Sequence, residues 1–406
     1  MRIAMLVFNQ PYRGTYWRAF YIGRELCRRG HTVTLLMTAP EERLRFRVTY
    51  ECEGRLALVE APDLLSGSLR SGWDVWASLL RSAWLHITDF DIIHAFECRP
   101  TVILPALIGC QFSGAPLVID WCDWFGRGGS VEERQSPVQR ALLRPVETFF
   151  EEHFRTYADA TTVINHFLGE RARALGVLAD SIILLLNGSD TDGWELESPH
   201  QAHTMLGLSQ ETPLICYVGA IFERDAQFLA KAFDHLHAQR SDVQLLILGY
   251  CNVAVEQLVH NPEAVIRTGP LDTPTLRRYL RASTLGWLPL SDSGANRGRW
   301  PLKMNTYMEA GLPFVTTSVG DLGNFVLEYP AGIATAADPI ALANATLALL
   351  DDQTQLEQLG TTGRRLAETE LSWARVADVA LGVYQTLLKE QYLYPVSPEE
   401  IGIEEI

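Results

Sequence analysis

The feature that most constrains this chain is a rhythm. Short apolar runs end in glycine or a polar loop, and each is followed by a segment of helical period. Ile3-Ala4-Met5-Leu6-Val7-Phe8 contains no polar residue, as expected of a strand covered on both faces. A loop with Pro11 and Gly14 follows. A helix over 15–29 then presents Ala19, Phe20, Ile22, Gly23 and Leu26 on one face. Gly30 stops it, and 32–37 is the next strand. This is one βαβ unit, whose strands run parallel through a right-handed crossover.

The rhythm persists along the chain. Strands are expected at 91–95, 116–120, 161–164 and 182–186, separated by helices over 100–112, 136–158 and 166–175. Residues 191–212 are polar, with Pro199, His200 and His203, and read as a linker. Strands then recur at 214–219, 243–249, 265–267, 284–289 and 313–317, with a short one at Ile333. Helices are expected over 225–239, 253–260, 273–282, 302–310, 338–351 and 354–370, and Trp373 opens a last one. The reading is an α/β protein of two doubly wound, Rossmann-like domains, 1–195 and 196–371, facing across a cleft. A helix over 372–390 and a loose tail over 391–406 complete it. Ligands of such sheets bind beyond the carboxyl ends of the strands.

Composition narrows the function. The chain of 406 residues is 47% hydrophobic and carries a formal net charge of −15. It therefore lacks the basic footprint of general nucleic-acid binding. Residues 1–50 run against this balance, with nine arginines and only Glu25, Glu41 and Glu42. That suits a solvated face, or an anionic substrate or membrane surface. No run approaches the ~18 apolar residues of a membrane span, and the first residues lack the pattern of a signal peptide. A cytoplasmic protein is expected. The seven cysteines lack CxxC spacing and read as reduced thiols. His235 and His237 face different ways on a helix, and no DxD-like cluster falls in a suitable loop, so neither metal nor cofactor is expected.

Three strand-end loops concentrate the chemistry. The first, 9–15, carries Gly14 and Thr15 to a helix start, where backbone N–H groups favour an anion; a plain turn stays open. Neither GxGxxG nor GxxxxGK[ST] is present, so dinucleotide and Walker-type binding are unsupported. The second runs Asp120-Trp121-Cys122-Asp123-Trp124-Phe125-Gly126-Arg127-Gly128-Gly129. Aromatic faces stack on sugars, and carboxylates bind hydroxyls, so this loop reads as a sugar site. The third, 291–313, holds Asn296, Arg297, Arg299 and Lys303 around a helix start, which suits a diphosphate. His94 follows a strand and either lines the cleft or sits satisfied in the core.

These pieces come in an order that resembles the GT-B glycosyltransferases, specifically the retaining family 4 with nucleotide-sugar donors. MRIAMLV and then RGTYWRAFYIGRELCRRGHTVTLL resemble its opening strand, glycine loop and "rGHeV" segment. Ala158-Asp159-Ala160-Thr161-Thr162-Val163-Ile164 resembles "ADaviavS", and Asn187-Gly188-Ser189-Asp190 resembles "NGvD". Tyr217-Val218-Gly219 and Leu246-Ile247-Leu248-Gly249 resemble "yvGrl" and "l.ivG". Pro301-Leu302-Lys303 and Tyr307-Met308-Glu309-Ala310-Gly311-Leu312-Pro313 resemble "PLKlfEYmAaGlPvv". The likeness spans nearly all of 1–390. It implies metal-independent transfer of a sugar, with retention, from a nucleotide-diphosphate sugar to a glycan, lipid-linked or small-molecule acceptor. It also implies a last helix that crosses back to the first domain, and it leaves room for weak peripheral membrane contact through that domain.

The resemblance also assigns roles. Asp123 and Asp120 become candidate catalytic residues. Gly14, Thr15, Gly219, Arg224, Asn296, Arg297, Arg299 and Lys303 become candidate donor ligands, and Cys122, Trp124, Arg127 and His94 candidate sugar or acceptor contacts. The chain departs from the family at several of its positions. The paired glutamates fall on Gly298 and Thr306, leaving Thr306 or Glu309 for the donor ribose. Ala220 and Asp225 stand at the usual Arg and Lys, and Cys122 at the usual His of the sugar site. Fold alone leaves open a sugar-nucleotide epimerase or phosphorylase, and the missing glutamates and His keep open a non-catalytic binding protein.

Overall fold

The computed structural model describes residues 1–393, arranged in two units. The first comprises Met1–Cys122, Leu143–Leu185 and the last helix, Trp373–Leu393. The second comprises Asp123–Leu142 and Leu186–Ser372. The division thus falls at 185/186, and the segment after Cys122 belongs to the second unit. The proline-bearing tail expected at 391–406 lies, from 394 on, outside the described residues.

The first unit is built on eight strands: β1 (Arg2–Leu6), β2 (Thr32–Thr38), β3 (Arg47–Glu51), β4 (Leu56–Ala61), β5 (Ile92–Phe96), β6 (Leu117–Trp121), β7 (Ala160–Val163) and β8 (Ile182–Leu184). Their order is β3-β4-β2-β1-β5-β6-β7-β8, parallel except for β3 against β4. The β3–β4 pair goes beyond the sequence reading. Residues of β3 are mostly exposed, so no burial pattern marks the strand, and its turn places Cys52 and Glu53 at positive φ. The last helix packs on the first, Thr15–Arg28. Trp373 stacks on Tyr21 at 5.1 Å, and Arg29 donates to Asp378 and to the Ala374 carbonyl.

The second unit holds β9 (Leu214–Val218), β10 (Gln244–Leu248), β11 (Val265–Gly269), β12 (Leu285–Leu288), β13 (Phe314–Thr317) and β14 (Gly332–Thr335), all parallel in the order β11-β10-β9-β12-β13-β14. Two expectations are corrected here. The stretch 191–212 is not all linker: Pro199–Leu206 is a helix, started by a capping box between Ser198 and Gln201. The helix expected over 253–260 is only a 3-10 turn, Val255–Gln257. Its apolar spacing buries Val253, Val255 and Val259 beneath a loop that Asn252 ties to the Ile221 backbone.

The first sheet is pinned by two ion pairs buried in it. Arg18, on the first helix, reaches Asp120 at the end of β6 with two hydrogen bonds of 2.9 Å and donates to the Leu185 carbonyl at 2.6 Å. Thr162 on β7 donates to the same carboxylate at 2.6 Å. Burial alone would raise the Asp120 pKa, but the Arg18 charge and these bonds hold it below the usual carboxylate range. Arg155 pairs with Glu97 at 3.0 Å, both side chains fully enclosed. Removing one member of such a pair strands a buried charge, so Arg18→Ala should cost ~3–5 kcal/mol of stability. Because Asp120 is held low, its contribution is present at neutral pH and is lost as pH falls through its depressed folded value. Denaturant titrations at neutral and acid pH check both statements.

Candidate active site

In the second unit, the carboxyl ends of the strands converge on a cationic corner. The helix Leu302–Glu309 is seated there by Asn305, which donates to the Asn187 carbonyl and to Ser189 Oγ and accepts from the Trp300 indole. Tyr307 fixes its other side by donating to the Trp287 carbonyl at 2.9 Å. The first turn contains no acid, and Pro301 offers no side-chain cap. The N–H groups of that turn therefore face outward without a side-chain acceptor from the cap.

Lys303 projects from this turn, its Nζ 5.2 Å from the centre of the Tyr217 ring. Burial, and then the Arg299 charge, pull its pKa down to about 8. Among the described residues it has no ion-pair partner. A cation held this way favours an arriving anion, since binding removes the repulsion and offsets the desolvation. Arg299 lies over the Phe222 ring and donates to Asp225 at 3.3 Å. Gly219, just after β9, has φ +76°, a conformation only glycine adopts without strain, and open space where a Cβ would stand.

The other expected donor residues divide. Asn296 turns inward: its amide donates to both oxygens of buried Asp225, at 2.9 and 3.1 Å, and so shapes the corner. Asp225 also accepts from the Ser291 amide and hydroxyl. Arg297 is exposed and paired with Asp292 through two bonds of 2.6 and 2.8 Å. Arg224 is exposed and stands 3.6 Å from Glu133. The Thr306 hydroxyl donates to the Leu302 carbonyl of its own helix. Glu309 is corrected as a ribose ligand. Its carboxyl accepts from the Asp190 amide at 2.8 Å, and burial pushes its pKa up to about 8, so it serves the chain segment entering the unit.

The aromatic loop after β6 belongs to this unit. It lies against the turn that carries Asn296: a Cβ on Gly294 would come 1.9 Å from the Gly128 carbonyl and 2.9 Å from the Trp124 ring. Asp123 and Trp124 are partly buried and Arg127 is exposed. The structure thus brings the expected sugar loop and the expected phosphate loop into one packed assembly.

In the first unit, the ends of β1, β5 and β6 meet. Gly14 precedes the first helix at φ +51°, and a Cβ there would stand 2.6 Å from the Asn9 amide. Thr15 Oγ1 is 3.7 Å from Cys122 Sγ. The Cys122 amide and thiol both donate to Glu97 Oε1, at 2.9 and 3.2 Å. Glu97 is buried and holds φ +75°, a strained position for a non-glycine residue. Sequence reasoning missed it, although it follows β5 directly, as Cys122 follows β6.

Two expected site residues are corrected. Asp120 is fully buried and saturated by Arg18 and Thr162, so it is a structural carboxylate and not a catalytic one. His94 is equally enclosed, stacked on Phe96 and 2.7 Å from the Tyr384 hydroxyl. Burial pulls its pKa down to about 4, leaving a neutral core imidazole that touches no surface.

Comparison with known proteins matches residues 13–188 to the family model for the Glycosyl transferase 4-like domain, and residues 212–352 to that for Glycosyl transferases group 1. Alpha-maltose-1-phosphate synthase of Mycobacterium tuberculosis is 28% identical over 225 residues, 50% of this chain and 56% of that protein. The chain thus spans about half the length of the curated relatives it matches. Among solved structures, sucrose-phosphate synthase from Thermosynechococcus elongatus aligns with a TM-score of 0.74 at 17% identity, over 96% of this chain and 99% of that one. Anabaena Alr3699/HepE in complex with UDP-glucose aligns with a TM-score of 0.67 at 13% identity, over 96% and 100%. These likenesses show the fold, GT-B.

The lowered pKa of Lys303 predicts a pH dependence for anion binding at this corner. Affinity for a nucleoside diphosphate should fall as pH rises through about 8, where the ammonium loses its proton. Lys303→Arg should flatten that profile. Calorimetric titrations at pH 7 and pH 9 measure it, and a wild-type affinity equal at both would remove Lys303 from the site.

Proposed function

The chain belongs to the group 1 glycosyl transferases, and from that premise we propose that it transfers a glycosyl group from a nucleotide-diphosphate sugar to an acceptor, with retention and without a bound metal. The observation that carries the proposal is Lys303, a partly buried cation without an ion-pair partner among the described residues, at the uncapped start of a seated helix. Glycosyl transfer of this kind leaves charge on the departing diphosphate. A pre-placed ammonium, with the helix N–H groups behind it, stabilises that charge without reorganising. Arg299 adds a second cation, paired with Asp225 at 3.3 Å.

Asp123 is the side chain we assign to the donor sugar, because Asp120 is sealed in the core and Trp124 packs the loop beside it. Gly14 and Thr15, beside Cys122 in the first unit, are assigned as donor ligands. Cys122 replaces a ring with a small thiol held by Glu97, so its contribution is to place the Asp123 backbone. The UDP-glucose bound by the Anabaena relative makes a UDP-sugar the first donor to test. No helix among the described residues is long and apolar enough to cross a membrane. A cytoplasmic site of action belongs to the proposal, as does membrane contact through the exposed Tyr12 and Arg13 beside the first helix.

Lys303→Ala should weaken nucleoside diphosphate binding by ~1.5–3 kcal/mol, the range for a charge-assisted hydrogen bond. Asp123→Asn should lower turnover more than it lowers nucleotide affinity; equal losses would deny it a sugar-side role. Proton NMR of the first product formed reports the anomeric configuration, and an inverted product would overturn retention.

A further inference from the structure

The chain is almost without lysine. Of its 34 Lys and Arg residues only Lys231, Lys303 and Lys389 are lysines. Lys231 and Lys389 are exposed on helices. A solvated lysine ammonium has a pKa of about 10.4 and keeps its proton at pH 8.

Lys303 is placed differently. It is partly buried, its Nζ stands 5.2 Å from the centre of the Tyr217 ring, and among the described residues no carboxylate pairs with it. The Arg299 charge is felt at Tyr217 and at Lys303 alike. Two groups act on Lys303 in the opposite sense, each less strongly than Arg299. Asp225 divides its carboxylate among Arg299, Asn296 and Ser291, and the Cys251 thiol donates to the Val253 carbonyl at 3.3 Å. With burial and the Arg299 charge holding its pKa near the about 8 given above, a large part of Lys303 is neutral amine in mildly alkaline solution.

A neutral amine attacks carbon dioxide. The Nζ lone pair forms an N–C bond, one C=O electron pair moves onto oxygen, and one N–H proton leaves to solvent. The product is a carbamate, which carries a negative charge. The surroundings of Lys303 suit that charge. Its helix starts there with no side-chain cap and no acid in the first turn, and helix starts favour anions. The Arg299 charge that disfavours an ammonium at Nζ favours an anion on the same atom. We propose that Lys303 is a carbon dioxide site, reversibly converted to a carbamate that closes this corner to a diphosphate. The carbamate replaces a cation with an anion, so it and a diphosphate exclude each other. That exclusion rests on the donor-site reading; formation of the carbamate does not.

The full chain is equilibrated with bicarbonate and dissolved carbon dioxide at pH 8. Carbamate is then fixed with a trialkyloxonium reagent before proteolysis and mass spectrometry. Lys303 should carry the trapped adduct, and Lys231 and Lys389 should not. The Met1 α-amino group, 3.3 Å from His31 Nδ1, is read separately on its own peptide. At constant dissolved carbon dioxide the Lys303 adduct should fall by roughly tenfold or more between pH 8 and pH 6, as the ammonium reforms. Arg299→Gln should lower it several-fold, and Lys303→Arg should remove it. The proposal is overturned by no adduct on Lys303, by equal adducts on all three lysines, or by an adduct indifferent to pH or to Arg299→Gln; nucleotide binding, measured by calorimetry, would stand apart from that failure. Whichever of UDP, GDP, ADP and dTDP binds should displace the adduct. Bicarbonate should weaken that nucleotide's binding to wild type but not to Lys303→Arg. An adduct that saturating nucleotide leaves in place would overturn the exclusion and remove Lys303 from the donor site.

Discussion

The buried pair between Arg18 and Asp120 is the interaction on which the first unit depends. One guanidinium joins the first helix to the end of β6 and to the Leu185 carbonyl just after β8, and Thr162 adds β7 to the same carboxylate. Desolvating two charges is costly, so the pair is kept only because every partner is satisfied. Its consequence is positional. With the helix fixed against β6, its start at Gly14 and Thr15 is fixed beside Cys122. The second pair, Arg155 with Glu97, fixes the Cys122 backbone from the other side. The chain thus holds Gly14, Thr15 and Cys122 in place by charge pairing inside the core.

In the second unit neutral groups seat the helix and a carboxylate organises the loop before it. Asn305 and Tyr307 seat the helix that begins at Leu302, leaving its start and Lys303 for a ligand. Asp225 gathers Ser291, Asn296 and Arg299 into a rigid turn. Where the resemblance leads one to expect a lysine, this chain has an acid that organises the loop and offsets part of an arginine's charge. Of the four cations expected there, Arg297 pairs with Asp292 and Arg224 stands near Glu133, so the proposed anion site rests chiefly on Lys303 and Arg299.

The doubly wound architecture was legible because parallel strands covered on both faces leave continuous apolar runs, as at 3–8 and 214–218. The β3–β4 pair was not, because an exposed edge strand has no burial period to read. The site was legible as loops but not as orientations. Asp120 and Asp123 are three residues apart in the same motif, and only the position of Arg18 reveals that one points into the core. His94, Asn296 and Glu309 failed for the same reason: each is a polar side chain whose partner is distant in sequence, at Tyr384, Asp225 and Asp190. Glu97 was missed because its signal is a backbone angle, which no residue type announces.

The measurement that tests the central claim most directly is calorimetric titration of the purified chain with UDP, GDP, ADP and dTDP in the absence of divalent metal. The account predicts that one of these binds saturably, because protein cations and a helix start supply the neutralisation a metal would otherwise give. A well-folded sample that binds none of the four, or binds one only when a divalent metal is added, would contradict it.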